Sequence, residues 1–171
     1  MTSFVALLRA VNVGGTGKLA MADLKSLCEA AGFHSVRTYI ASGNVLFESN
    51  LNERNVKREI EKRLAAHAGK PVQAMVRTAA EMAAIAAANP FPKAPGNRTV
   101  AIFLDEAPPA DAFDGITGRA NEKLALGTRE IYILYGDDMA RSKLKVPAAK
   151  NGTARNMNTV ARLAAMAAVS G

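Results

Sequence analysis

The chain has 171 residues, of which 49% are hydrophobic and 22% charged, and these proportions exclude a disordered protein. The counts of 13 Gly, 7 Pro and 1 Cys exclude collagen-like and disulfide-rich scaffolds. The net charge of +7 favours anionic partners such as nucleic acid, nucleotides or acidic metabolites, with a merely basic protein as the alternative. Aromatic residues make up 5% and Trp is absent, which leaves few stacking platforms for single-stranded nucleic acid.

The first half of the chain predicts an alternation of strands and helices. Apolar periodicity, glycines and helix caps define the elements. In chain order they are strand Phe4–Val11, a glycine-rich loop Asn12–Lys18, a helix from Met21 ended by Gly32, strand Val36–Ala41, strand Asn44–Glu48, a helix capped by Asn52, strand Pro71–Arg77, and a helix from a Thr78–Glu81 capping box to about Ala88.

The second half predicts a similar but shorter series. Its elements are strand Thr99–Leu104, a short helix around Ala112–Ile116, a hairpin of Glu122–Leu126 and Glu130–Tyr135, a lysine-rich loop, and a helix from about Ala154 to Val169. The connection Asn89–Arg98 carries three prolines and one glycine, so we place a subdomain boundary there.

These element orders predict an α+β fold. The first half has the β-α-β-β-α-β order of a ferredoxin-like subdomain, with an added helix, and its strands should lie in the spatial order 4-1-3-2. The second half suggests a related but incomplete copy, arising by structural duplication. The predicted division is residues 1–88 for the first subdomain, 89–98 for the connection, and 99–171 for the second subdomain with its C-terminal helix.

A first candidate site combines the glycine-rich loop with the turn before the third strand. In a ferredoxin-like sheet the first strand lies antiparallel to the third, so the loop and the turn meet at one edge. The loop does not fit the Walker pattern, because Asn12 replaces its first glycine and Leu19 its Ser or Thr. Backbone N–H groups near a helix N-terminus still suit an anion, although a purely conformational loop is the alternative. The residues of this predicted rim are Asn12, Gly14, Gly15, Lys18, Ser42 and Asn44.

Arg9 interrupts the apolar first strand and shares a face with Leu7 and Val11. A charged side chain within a strand lies at an edge or is paired. Arg9 is therefore a candidate ligand contact at the rim or a member of a structural ion pair, and the sequence leaves both open.

A second candidate site is a run of positive charge near the C-terminus. No acidic residue falls between Arg141 and Arg162. The run contains Arg141, Lys143, Lys145, Lys150, Arg155 and Arg162. It predicts either a solvated basic face or a surface for an anion or nucleic acid.

No catalytic, metal-binding or cofactor-binding group is predicted. His34, His67 and Cys28 lack the spacing of metal ligands. The acidic pairs Asp105–Glu106 and Asp137–Asp138 are adjacent residues, whose side chains diverge. Whether the protein is an enzyme is therefore left open.

The setting predicted from the sequence is reducing and cytoplasmic. A single cysteine, Cys28, cannot form an internal disulfide. The N-terminal residues lack the pattern of a signal peptide, and no apolar run approaches the ~20 residues that span a bilayer. We therefore expect no membrane association.

Several motifs resemble those of the bacterial family called domain of unknown function 1697. They are the segments Leu7–Gly15, Val36–Val45, Asn89–Phe91, Phe103–Asp105, Arg141–Leu144 and Thr153–Asn156. The sequence departs from the family pattern at Met157, where Trp is common, and at Ala10, where Gly is common. The resemblance implies a cytosolic α+β protein with two related subdomains and implies no activity. The motif positions in the basic run are Ser142, Lys143, Arg155 and Asn156.

Three functions agree with these observations. The first is non-catalytic binding of an anionic ligand, either a phosphorylated metabolite or nucleic acid, at the rim and at the basic residues Lys143, Lys145, Arg155 and Asn156. The second is an enzyme for a small anionic substrate. The third is a structural module that works through a homo-oligomeric surface. Steep salt dependence would distinguish nucleic-acid binding from the other two.

Overall fold

The structure is a computed structural model, and it describes residues 1–9, 19–40, 43–137 and 139–170. The chain divides into two compact units, Met1–Ala83 with Arg162–Gly171, and Ala84–Ala161. Each unit contains one four-stranded antiparallel sheet. With four α-helices among the described residues, the protein is a mixed α/β structure.

The first sheet has the strand order that the sequence predicts. Its elements are β1 (Thr2–Leu8), α1 (Met21–Ala30), β2 (His34–Thr38), β3 (Asn44–Ser49), α2 (Glu53–Ala68), β4 (Ala74–Thr78) and the following helix α3 (Ala79–Ala87). The strands lie in the order β2-β3-β1-β4. Because β1 is central and antiparallel to both neighbours, Phe4 pairs with Phe47 on one side and with Thr78 on the other.

The core of the first unit lies between one sheet face and helices α1 and α2. Alternate residues of β1 point into it, and on α2 the buried residues recur at the spacing of a helical stripe. The Phe47 ring stacks on Phe33 at 4.3 Å and on Phe4 at 5.9 Å between centroids. Cys28 is buried in this core, and its burial raises the thiol pKa to about 12, so the thiol stays protonated.

The predicted helix caps of the first unit are confirmed. The Oδ1 atom of Asn52 accepts a hydrogen bond from the Asn55 N–H at 2.9 Å. At the start of α3, the Glu81 N–H donates to Thr78 Oγ1 at 3.1 Å, and the Thr78 N–H donates to Glu81 Oε1 at 2.9 Å. This reciprocal pair satisfies two backbone donors at once.

The second sheet repeats the strand order of the first. Its strands are β5 (Thr99–Phe103), β6 (Lys123–Leu126), β7 (Glu130–Leu134) and β8 (Thr153–Asn156), and the helix α4 (Met157–Ser170) follows β8. They lie in the order β6-β7-β5-β8. Two short 3₁₀ helices, Met139–Arg141 and Pro147–Ala149, lie between β7 and β8.

One predicted helix and the predicted start of another are wrong in the second half. The helix expected at Ala112–Ile116 is a series of turns whose N–H groups bond three residues back, and its Asp114 and Gly115 are poor helix formers. The helix expected from Ala154 begins at Met157. Its first predicted turn is part of strand β8, in which Arg155 pairs with Ala101 of β5.

Across the described residues, no helix combines the length and apolar character that crossing a bilayer requires.

Candidate functional site

Most of the predicted rim lies outside the described residues. Asn12, Gly14, Gly15, Lys18 and Ser42 belong to the segments 10–18 and 41–42. The residues that flank these segments are described. The Leu8 N–H donates to the Gly43 carbonyl at 2.8 Å, and the Arg9 N–H donates to the Gln73 carbonyl at 2.9 Å. The chain therefore leaves β1 and enters β3 at the same end of the sheet.

Asn44 is fully buried, and its side chain closes its own hairpin. Its Nδ2 donates to the Tyr39 carbonyl at 2.8 Å, while the Tyr39 N–H donates to the Asn44 carbonyl at 3.0 Å. Next to this pair, Ile40 has a φ of 50°, a conformation that is costly for a β-branched residue. The structure thus gives Asn44 a structural role in the turn, whereas Arg9 is partly exposed at the edge.

The basic run does not form one surface. Arg141, Lys143 and Lys145 are exposed, and they alternate with the less exposed Ser142 and Leu144. We call Arg141, Lys143 and Lys145 the basic track. Lys150 and Arg162 are also exposed, outside the track.

Arg155 and Asn156 differ from the basic track in exposure and in contacts. Arg155 is 7% exposed, and one guanidinium nitrogen donates to Thr153 Oγ1 at 2.8 Å and to the Ala154 carbonyl at 2.9 Å. Burial lowers the Arg155 pKa to about 10, so the side chain stays charged at neutral pH. Asn156 Oδ1 accepts the Thr159 N–H at 2.9 Å and caps α4. Both side chains therefore serve the β8–α4 junction.

A cleft of about 340 Å³ lies beside the basic track, within the second unit. Its lining residues combine two cations, two carboxylates and small polar groups. They are Gly118, Ala120, Asn121, Glu122, Asp137, Arg141, Ser142 and Lys143.

Glu122 forms the buried acidic part of the cleft, at 4% exposure. Its Oε2 accepts the Ser142 hydroxyl at 2.5 Å, and its Oε1 accepts the Ala120 N–H at 2.7 Å. The Ser142 hydrogen bond, followed by the backbone bonds and nearby Arg119, holds the Glu122 pKa below its ordinary value. The carboxylate is therefore charged at neutral pH, and both its oxygens are already engaged.

Backbone contacts fix the position of the basic track. Lys145 and Thr117 exchange two backbone hydrogen bonds, at 2.8 and 3.1 Å. Gly118 has a φ of 70° and lies against the backbone of Lys143. A Cβ at position 118 would be 1.9 Å from the Lys143 carbonyl oxygen. Leu144 and Val146 pack against the core of the second unit. The backbone of Thr117, the close approach of Gly118 and the core of the second unit thus hold the segment in place, and its cations are exposed.

Sequence reasoning did not identify Glu122 or Asn121 as site residues. Glu122 stands at the start of a predicted strand, twenty positions from Ser142, and no motif connects the two. Among the described residues, no group of three or more His, Cys, Asp or Glu side chains is arranged to hold a metal ion.

The chain is thus a mixed α/β protein with one four-stranded antiparallel sheet in each of its two units. A sequence profile of the family described as "Protein of unknown function (DUF1697)" matches residues 1–132. The chain belongs to this family, in agreement with the resemblance of its motifs.

One solved structure is similar over nearly the whole chain. It is that of the conserved bacterial protein SP0830 from Streptococcus pneumoniae, with 23% sequence identity and a TM-score of 0.81. The match covers 98% of this chain and 99% of the other. At this identity, the similarity establishes the fold. A comparison with curated proteins gave no match.

Proposed function

We propose that the protein binds an anionic ligand, a phosphorylated metabolite or nucleic acid, at the cleft and along the basic track. The observation that supports the proposal most strongly is the placement of Arg141 and Lys143 on one wall of the cleft, on a segment fixed by backbone contacts. Two cations on a fixed backbone attract an anion at a small cost in conformational freedom.

The carboxylates of the cleft do not reverse this preference. Both oxygens of Glu122 accept hydrogen bonds from the protein, from Ser142 and from the Ala120 N–H. Asp137 is fully exposed and forms an ion pair with Arg98. A cationic ligand would compete with these donors, whereas an anion would be attracted by the charges of Arg141 and Lys143.

The rim at the edge of the first sheet is the second part of the proposal. Asn12, Gly14, Gly15, Lys18 and Ser42 would supply backbone N–H groups, a hydroxyl and a charge to the same kind of ligand. The hydrogen bond from the Leu8 N–H to the Gly43 carbonyl, close to the ends of the two segments, supports this arrangement. The cytoplasmic setting also stays a prediction from the single cysteine.

The finer architecture is also proposed. Two ferredoxin-like subdomains, related by duplication and with an incomplete second copy, explain why both sheets have the same strand order. The predicted division at residues 89–98 belongs to this proposal.

Thermal unfolding in sulfate or phosphate tests the binding proposal. Sulfate should raise the midpoint more than chloride does at equal ionic strength. Sulfate also stabilises proteins by exclusion from their surface, so the informative quantity is the difference between variants. The double variant Arg141→Ala with Lys143→Ala should lose the rise in midpoint that sulfate causes by binding at the cleft. Lys18→Ala should lose the rise that sulfate causes by binding at the rim.

The matched control carries the same loss of charge at two exposed lysines, Lys62→Ala with Lys93→Ala. This control should keep the full effect of sulfate. Equal protection of the unmodified protein and of the Arg141 and Lys143 variant would overturn binding at the cleft. Equal protection of the Lys18 variant would overturn binding at the rim.

A further inference from the structure

We propose that the basic track binds the phosphate backbone of duplex nucleic acid, without sequence preference. The inference rests on the proposed anion site and names its ligand class. It depends on the described geometry of Arg141, Lys143 and Lys145, and not on the rim of the first unit.

The spacing of the three cations suits a linear polyanion. Exposure alternates from Arg141 to Lys145. Arg141 ends the 3₁₀ helix Met139–Arg141, and the chain then continues without helix to the β-bridge at Lys145, so Lys143 and Lys145 lie on one outward face. Alternate residues of an extended chain are about 6.6 Å apart. One strand of duplex DNA carries a phosphate for roughly every 3.4 Å along the helix axis. Because the strand also winds around this axis, neighbouring phosphates are farther apart in space than the axial rise, and the Lys143–Lys145 spacing is of the same order as the distance between them.

The track extends beyond what a small ligand reaches. Arg141 and Lys143 line the cleft, but Lys145 lies outside it and lines a neighbouring shallow recess with Val146 and Pro147. A phosphorylated metabolite held in the cleft contacts the first two cations. A polymer with regularly spaced charges contacts all three.

The surroundings of the track favour a duplex over a single strand. Among the residues that the structure describes, no aromatic side chain lines the cleft or the recess. Proteins that hold single strands stack the bases on aromatic rings, whereas contacts to the phosphates of a duplex need only charge and position. Because bases are not contacted, affinity should not depend on sequence.

The anchoring of the segment makes the track a fixed surface. The Ser142–Glu122 hydrogen bond, the Lys145–Thr117 backbone pair and the close passage over Gly118 hold its backbone at three points. Only the side chains of the cations then need to become ordered on binding, which lowers the entropic cost.

Fluorescence anisotropy with a labelled duplex of about 20 base pairs, at salt concentrations from about 50 to 200 mM, tests the track. Three phosphate contacts predict that log K falls with log salt with a slope of about −2.7. Lys145→Ala should lower the magnitude of the slope by about 1 for duplexes of any sequence. Replacing all three cations by Ala should abolish binding, whereas Lys62→Ala with Lys93→Ala should leave the slope unchanged.

Gly118→Ala is a sharper variant, because it retains every charge and displaces the chain beneath Lys143. It should weaken duplex binding while circular dichroism shows the native fold. If this variant does not fold, Lys145→Ala alone decides, because the exposed Lys145 side chain makes no hydrogen bond or ion pair with a described residue.

Three results would contradict the proposal that the basic track binds duplex nucleic acid. They are no binding of the duplex at about 50 mM salt, an unchanged slope for Lys145→Ala, and tighter binding of the single strand than of the duplex. If sulfate still protects the protein through Arg141 and Lys143 in these cases, the track fails and the anion site stands. If sulfate protection is also independent of these residues, both proposals fail.

Discussion

The two sheets pair their strands with corresponding registers. In the first, Phe4 lies between Phe47 and Thr78, and in the second, Val100 takes the same place between Ile133 and Asn156. Backbone bonds just beyond the strands correspond too. The Leu8 N–H donates to the Gly43 carbonyl at 2.8 Å, as the Leu104 N–H does to the Arg129 carbonyl at 2.9 Å.

The strand-to-helix junctions match as well. A buried arginine precedes the capping residue at the end of β4, and another does so at the end of β8. Each guanidinium donates to the carbonyl of the residue before it, from Arg77 to Val76 at 3.0 Å and from Arg155 to Ala154 at 2.9 Å. The correspondence therefore extends from strand order to individual side-chain contacts.

The units differ in what connects the strands. Helix α1 joins β1 to β2, but turns join β5 to β6. Helix α2 joins β3 to β4, but the segment with the basic track joins β7 to β8. Where the apolar stripe of α2 packs on the first core, Leu144 and Val146 pack on the second. The candidate site thus lies where the second unit departs from the first, because an extended segment can point its cations outward.

The largest effect on stability is expected from truncating core side chains at equivalent positions of the two sheets. Phe47→Ala should lower the free energy of unfolding by about 3–5 kcal/mol, since the ring stacks on Phe4 and Phe33. Ile133→Ala should lower it by about 2–5 kcal/mol, without a loss of ring stacking. Urea unfolding followed by circular dichroism measures both. A larger loss at Ile133 than at Phe47 would contradict this prediction, in which removal of the stacked ring is the more costly change.

The fold of the first unit could be predicted because its signals are local. The capping box Thr78–Glu81 and the cap at Asn52 lie within four residues of what they stabilise. Strand β8 lacked such a signal, because its four residues include a buried arginine and its pairing partner β5 lies about fifty positions earlier. Pairing with β5 makes these residues a strand, although the sequence pattern predicts that the following helix includes them.

The candidate site could be predicted only in part. The charge run indicated Lys143 and Lys145 because like charges need no partner to be recognised in a sequence. It also included Arg155, which the β5–β8 pairing buries. Glu122 was missed because its link to Ser142 is a contact between segments that are distant in sequence.

The second prediction compares the two strand-to-helix junctions. Thr78→Ala and Asn156→Ala should each cost about 1 kcal/mol, because each removes one side-chain acceptor at a helix N-terminus. Glu81→Ala should add a further loss of about 0.5–1.5 kcal/mol at the first junction, since its carboxylate returns a hydrogen bond to the Thr78 N–H. The equivalent residue of the second junction is Thr159, which has no carboxylate to do so.

Thermal or urea unfolding of the four single variants, Thr159→Ala included, checks this difference. If Thr159→Ala costs as much as Glu81→Ala, the reciprocal capping box does not distinguish the two junctions.

The smallest expected effect is a pH dependence of stability at the cleft of the second unit. The fold lowers the pKa of Glu122 below its ordinary value of 4.5, chiefly through the hydrogen bond from the Ser142 hydroxyl. A carboxyl whose pKa is lower in the folded state stabilises the fold above its unfolded pKa. This contribution is lost as the pH falls through the folded pKa.

Ser142→Ala removes the largest cause of the lowered pKa and should reduce the unfolding midpoint at neutral pH. The gap between the variant and the unmodified protein should narrow as the pH falls below about 4.5, because protonation of Glu122 cancels the advantage in both. Thermal unfolding between about pH 3 and 7 measures the gap. In a Glu122→Gln background no carboxyl titrates there, so the gap should stay constant with pH. A gap that stays constant with Glu122 present would show that the serine hydroxyl does not set the charge of this carboxylate.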